Sequence, residues 1–135
     1  MPIVYRADRT LSCTISIWHG HVTRRDQRRQ AIQLSSDPTW PAGPRHLVDG
    51  TTITTLTMPE PDLLELLYQG TELVDEMRVA ALVRPGFFNK PRGAYKTPSH
   101  EFHIAVFTDL DAASYYLGLD RMAVEAVIDE LRHQL

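Results

Sequence analysis

Residues 11–18, LSCTISIW, place Leu11, Cys13, Ile15 and Ile17 at alternate positions, with Ser12, Thr14, Ser16 and Trp18 between them. A period of two, rich in β-branched residues, predicts a strand with one face buried. The run IVYRA (3–7) precedes it across Asp8-Arg9-Thr10, so the two are expected to form an N-terminal β-hairpin, with Gly20 ending the strand region. Three later runs, HLVD (46–49), RVAALV (78–83) and FHIAVF (102–107), are short and apolar throughout. Bounded by turn residues, they fit strands buried on both faces of a parallel sheet.

Between these runs the period lengthens. Thr23, with Asp26 three residues on, predicts the start of a helix from about Arg24 to Leu34, thinly apolar at Ala31, Ile32 and Leu34 and stopped by Asp37-Pro38. The segment TWPAGPR (39–45) is a loop by its Pro and Gly content. Leu63, Leu64, Leu66, Leu67, Leu73, Val74 and Met77 have helical spacing, broken or capped at Gly70. Thr108 or Asp109 caps a helix that Gly118 ends, and Asp120 caps a final one. In that last helix Val124, Val127, Ile128 and Leu131 line one apolar face, which either packs on the domain or makes a homodimer. The expected order is β-β-α-β-α-β-loop-β-α-α. It predicts an α/β sandwich with a mainly parallel sheet and an antiparallel hairpin at its edge.

A chain of 135 residues fits one domain with a core of its own. Its net charge of −3 supplies no overall attraction to nucleic acid or to an anionic membrane. The single cysteine, Cys13, excludes an internal disulfide and reads as a small buried hydrophobe before it reads as a reactive thiol. No apolar stretch approaches the roughly 18 residues that span a bilayer. The opening MPIVYRAD lacks a basic region followed by an apolar one, so the expectation is a cytoplasmic chain with no membrane insertion.

Taken in order, GHVTRRD, SSDPTW, HLVDGTTITTL, RVAALV and FTDLDAASYYLG resemble motifs of small bacterial proteins of the STAS or SpoIIAA-like superfamily. The resemblance runs from about residue 3 to about residue 120. It implies a single SpoIIAA-like domain over 1–135, with a C-terminal helix from about 120, about five strands, and helices mainly on one face. The better-known relatives are anti-sigma-factor antagonists, which bind a partner kinase and are switched by phosphorylation of a serine in the loop after the strand ending in Asp. That loop would correspond to residues near Thr57, Met58 and Pro59, where this chain has no serine. The segment 84–101 also departs from the pattern, because Pro85, Pro91 and Pro98 disfavour the helix that relatives carry there.

Two loops follow as candidate sites. Asp49, Thr55, Thr57 and Met58 mark a regulatory or partner-binding loop, in which a phosphorylated Thr55 or Thr57 near a helix N-terminus is physically sensible. The competing reading is a plain strand-to-helix connector, with the helix starting at Pro61. Phe87, Phe88, Arg92 and Tyr95 mark a second loop. Both are expected to leave the carboxyl ends of strands, where open α/β sheets hold ligands, although Phe87 and Phe88 also read as core closure. His19 and His21, two apart, and His100 and His103, three apart, offer imidazoles that suit zinc, but no Cys or clear carboxylate completes the set, and no metal site or cofactor is assigned. Arg24, Arg25, Arg28 and Arg29 cluster on the first helix, either as a solvated face or as a contact for a phosphate or an acidic partner. No aromatic interleaving supports nucleic-acid binding. There is no G-x-S-x-G, P-loop or G-x-G-x-x-G, so no enzyme is expected. The leading expectation is a non-enzymatic regulatory or protein-binding module, its partner kinase-like or sigma-regulatory by resemblance. The alternative is a carrier or sensor of a small apolar or anionic ligand.

Overall fold

The structure is a computed structural model that describes residues 2–40, 42–56, 78–87, 94–96 and 103–135. Its strands are β1 (Ile3–Asp8), β2 (Cys13–Val22), β3 (Arg45–Leu56), β4 (Arg78–Leu82), β5 (Ala94–Lys96) and β6 (His103–Phe107); its helices are α1 (Arg24–Ser36), α2 (Leu110–Leu117) and α3 (Arg121–Arg132). The strands form one mixed sheet in the order β1-β2-β3-β4-β6-β5. The three inner pairings are parallel, and the edge pairings, β1 with β2 and β5 with β6, are antiparallel. The α/β class, the N-terminal hairpin and the mainly parallel sheet follow the sequence reading. The sixth strand, β5, lies where a loop was expected. The expected helix over 63–77 lies outside the described residues.

Two layers of side chains cover the sheet. Cys13, Ile15 and Ile17 of β2, Leu47 of β3 and Ala80 of β4 pack against Ala113 and Leu117 of α2 and Val124, Val127, Ile128 and Leu131 of α3. The apolar stripe of α3 therefore belongs to the core and is not left for a dimer. The intervening residues of β2 point the other way, and Ser16 meets Gln30 of α1 at 3.0 Å. Thr14, Ser16 and Trp18 are as buried as their neighbours, so β2 is covered on both faces, where the alternation predicts one. Among the described helices, α1 lies over one face and α2 and α3 over the other.

Two further corrections concern β2 and β3. Gly20 does not end β2. It sits inside it at φ +70°, in the left-handed region that a Cβ disfavours, where the pairing with β3 shifts register. Strand β3 does not stop at Asp49 but continues to Leu56, paired with β2 as far as Val22. Thr51, Thr52, Ile53, Thr54 and Thr55 are β-branched, and their stiffness at χ1 suits a pleated ribbon better than a connector.

The helix ends follow local chemistry. Thr23 Oγ1 accepts the Asp26 N–H at 3.2 Å while the Asp26 carboxylate accepts the Thr23 N–H at 3.0 Å, a complete capping box. Asp109 caps α2, Gly118 closes it at φ +69°, and Asp120 caps α3. Arg45, at the start of β3, donates to the carbonyls of Leu11, Ser12 and Leu117 and so fixes the β1–β2 turn and the end of α2 to the sheet.

Candidate functional site

The short turn between α2 and α3 brings α3 back along the sheet, so its last turn arrives near the middle of β3. There Asp49, fully buried, meets Arg132. Arg132 Nη2 donates to Asp49 Oδ2 at 2.6 Å and to Thr51 Oγ1 at 3.2 Å. The other carboxylate oxygen, Oδ1, accepts the Thr51 N–H at 3.0 Å and the Thr51 hydroxyl at 2.6 Å. Both oxygens of a buried anion are thus satisfied by a guanidinium, a hydroxyl and a backbone amide, as burial demands. The Arg132 side chain is 41% exposed, so the pair has one dry end and one wet end.

Past Asp49 the β2–β3 ribbon runs on for seven residues, with Thr54 and Thr55 exposed. His19 and His21 are exposed on the paired strand, and His21 Nδ1 lies 2.5 Å from Thr55 Oγ1. Among the described residues, this end of the sheet is a ribbon that exposes hydroxyls and imidazoles and is anchored at its base by Asp49 and Arg132.

On the opposite face, Gln30 Nε2 donates to Ser16 Oγ, which lies 2.9 Å from His46 Nε2. Burial pushes His46 down to about 4, so its ring is neutral near neutral pH. Ser16 is completely buried, so the arrangement is an internal polar bridge between α1 and the sheet and not an accessible nucleophile. Burial also pushes the Cys13 thiol up to about 12, which leaves it an inert core residue. Tyr5 donates to Asp37 at 2.7 Å, tying β1 to the end of α1, and its hydroxyl is raised to about 12 by burial and by that carboxylate.

The sequence-predicted residues separate. Asp49 is buried, so it supports a surface without forming one. Thr55 is exposed, but it sits in a strand and not in a loop. It stands about 20 Å of strand beyond Asp49. Phe87 is partly buried, with the Arg84 guanidinium 6.0 Å from its ring centre. Tyr95 lies in β5, whose backbone pairs with β6. Thr57, Met58, Phe88, Arg92 and His100 lie outside the described residues. Among the described residues no group of three His, Cys, Asp or Glu is placed to hold a metal. No described helix is long and apolar enough to cross a membrane.

Sequence reasoning missed Arg132 and Arg45. Arg132 reads as a cation complementing the dipole of the last helix, and nothing along the chain connects it to an aspartate 83 residues away. Compared with protein-family models, curated proteins and solved structures, the chain matches none.

Proposed function

We propose that the chain is a non-enzymatic binding or regulatory module of the STAS or SpoIIAA-like kind, which engages a protein partner through the carboxyl end of its parallel sheet. The observation that carries this reading is the ribbon beyond Asp49. A ribbon held by backbone pairing and anchored by a buried ion pair meets a partner with little ordering cost, and its threonines and imidazoles offer donors and acceptors without a dominant charge. The test is a photoreactive side chain at Thr55, with the same group at Ser35 on α1 as control, in lysate from the source cell. The expected result is one protein joined at position 55 and not at 35, with its capture weakened by Thr54→Glu. The same products from both positions overturn the reading.

A small anionic ligand is the second reading, and Arg132 favours it. Its Nη2 is engaged, while Nη1 and Nε have no partner among the described residues. Native mass spectrometry of protein from its own host, compared with the denatured spectrum, reads a bound mass that unfolding releases.

A further inference from the structure

The two helical layers carry opposite charge, and each exposes large apolar surface: Ile32 on α1, Tyr115 and Met122 on α2 and α3. Helix α1 holds four arginines and one aspartate. Its buried side is Gln27, Gln30 and Leu34. At about 100° per residue, the opposite side centres on Ile32, with Arg24 and Arg28 to one flank and Arg25 and Arg29 to the other. All four arginines are exposed, and Ile32 is 67% exposed.

Across the sheet, residues 109–135 hold six acidic side chains against two arginines. The outer face of α3 presents Glu125 and Asp129 beside Met122, which is 78% exposed, and on α2 Tyr115 is 88% exposed. Arg121 is spent locally on Asp111 at 3.1 Å and on Glu125 at 3.8 Å, and Glu130 on Arg6 at 2.7 Å. Asp129 has no ion-pair partner among the described residues. Each face therefore has an apolar centre bordered by charge, of one sign on α1 and of the other on α2–α3.

We infer that the natural occupant of the α1 face is the α2–α3 face of a second copy of this chain. A chain that carries its own complement on the far side of the sheet meets itself head to tail, with arginines opposite carboxylates and Ile32 against Met122 and Tyr115. Such contact is heterologous: it leaves one face free on each end, so it closes into a ring or extends as a filament instead of stopping at a symmetric dimer. The charges set orientation and salt dependence, and the exposed apolar residues supply the contact.

The test is sedimentation velocity on the full chain. At about 0.01 M salt, where screening reaches about 30 Å, the average mass should rise with concentration above that of the 15.4 kDa monomer; at about 1 M, with screening of about 3 Å, it should fall back. Arg25→Glu with Arg28→Glu spoils one face, and Glu125→Gln with Asp129→Asn weakens the other. All four positions are exposed, so both double variants should keep wild-type circular dichroism and melting. Each alone should be monomeric. Their mixture should form a 1:1 pair and stop there, because only one good face of each kind remains. A wild-type chain that stays monomeric at low salt overturns the inference. So does a discrete dimer that survives both double variants, or binding of α1 to an added oligonucleotide with no self-association.

Discussion

At Asp49 a carboxylate is withdrawn from water, and its stability depends on the groups around it. Removing Arg132 leaves the buried charge with only Thr51. Breaking a buried pair from one side costs about 3–5 kcal/mol, and the exposed end of this pair lets water soften that to about 2 kcal/mol. Arg132→Ala should lower the urea midpoint accordingly, while Arg132→Ala with Asp49→Asn should regain most of the loss, since a neutral amide oxygen still accepts from Thr51. A double variant no better than the single one would mean that Arg132 acts through packing alone. His46 gives a pH dependence of known sign. Its folded value, lowered to about 4, lies below the unfolded 6.5, so the unfolded chain binds the proton first. Stability is therefore full above about 6.5, declines as pH falls toward 4 and levels below it, a loss on the order of 3 kcal/mol. Asp37 is lowered from 3.8 by its bonds to Thr39 and Tyr5, so its contribution is lost only at lower pH. Urea midpoints between pH 7 and 4.5 should fall less in His46→Gln, which bonds to Ser16 without titrating, than in the wild type. At this scale sequence reading singled out Asp49 as special but could not supply its partner, because an ion pair between residues 83 apart is set by topology.

Within single elements, local chemistry decided most outcomes, and the exceptions are instructive. Thr23 and Asp26, Asp109 with Gly118, and Asp120 mark helix ends that depend on neighbours within four residues, so the sequence exposes them. Gly20 carries the same local preference as Gly118, yet one lies inside a strand and the other ends a helix. Positive φ requires a residue without Cβ in both cases, and only the partner strand distinguishes a bulge from a terminus. The Thr-rich run was legible as β-branched but not as ribbon, because its pairing with β2 beyond Ile17 depends on the bulges that shift the register. Gly20→Ala should cost about 1 kcal/mol through backbone strain alone, since a Cβ there meets nothing within 4 Å. Thr23→Ala should cost a similar amount, about 1 kcal/mol, through the lost cap. Thermal melts of the two variants should fall together. A markedly larger loss for Gly20→Ala would mean that the bulge also fixes the register of the outer ribbon.

For the whole molecule, the α/β class and, among the described residues, the order of the elements other than β5 were legible because each apolar run declares its own period. Which helix covers which face was not, since that depends on how successive strands are placed in the sheet. The stripe of α3 illustrates this: the same four residues suit a dimer seam or a core, and only the return of the chain after Gly118 assigns them. Val124, Val127, Ile128 and Leu131 are all buried against β2, β3 and α2. Burying side chains of this size stabilises by about 1.5–3 kcal/mol each, so together they contribute roughly 6–12 kcal/mol, comparable to the whole stability of a small domain. Ending the chain at Gly118 would also uncover Ile15, Ile17 and Leu47 and leave Asp49 without its guanidinium. The truncated chain should therefore lose cooperative urea unfolding, bind a hydrophobic dye and aggregate, whereas Met122→Ser, on the outer side of the same helix, should unfold as the wild type does. If the truncated chain instead unfolded cooperatively near the wild-type midpoint, α3 would be an appendage, and its apolar stripe would be available to a second molecule after all.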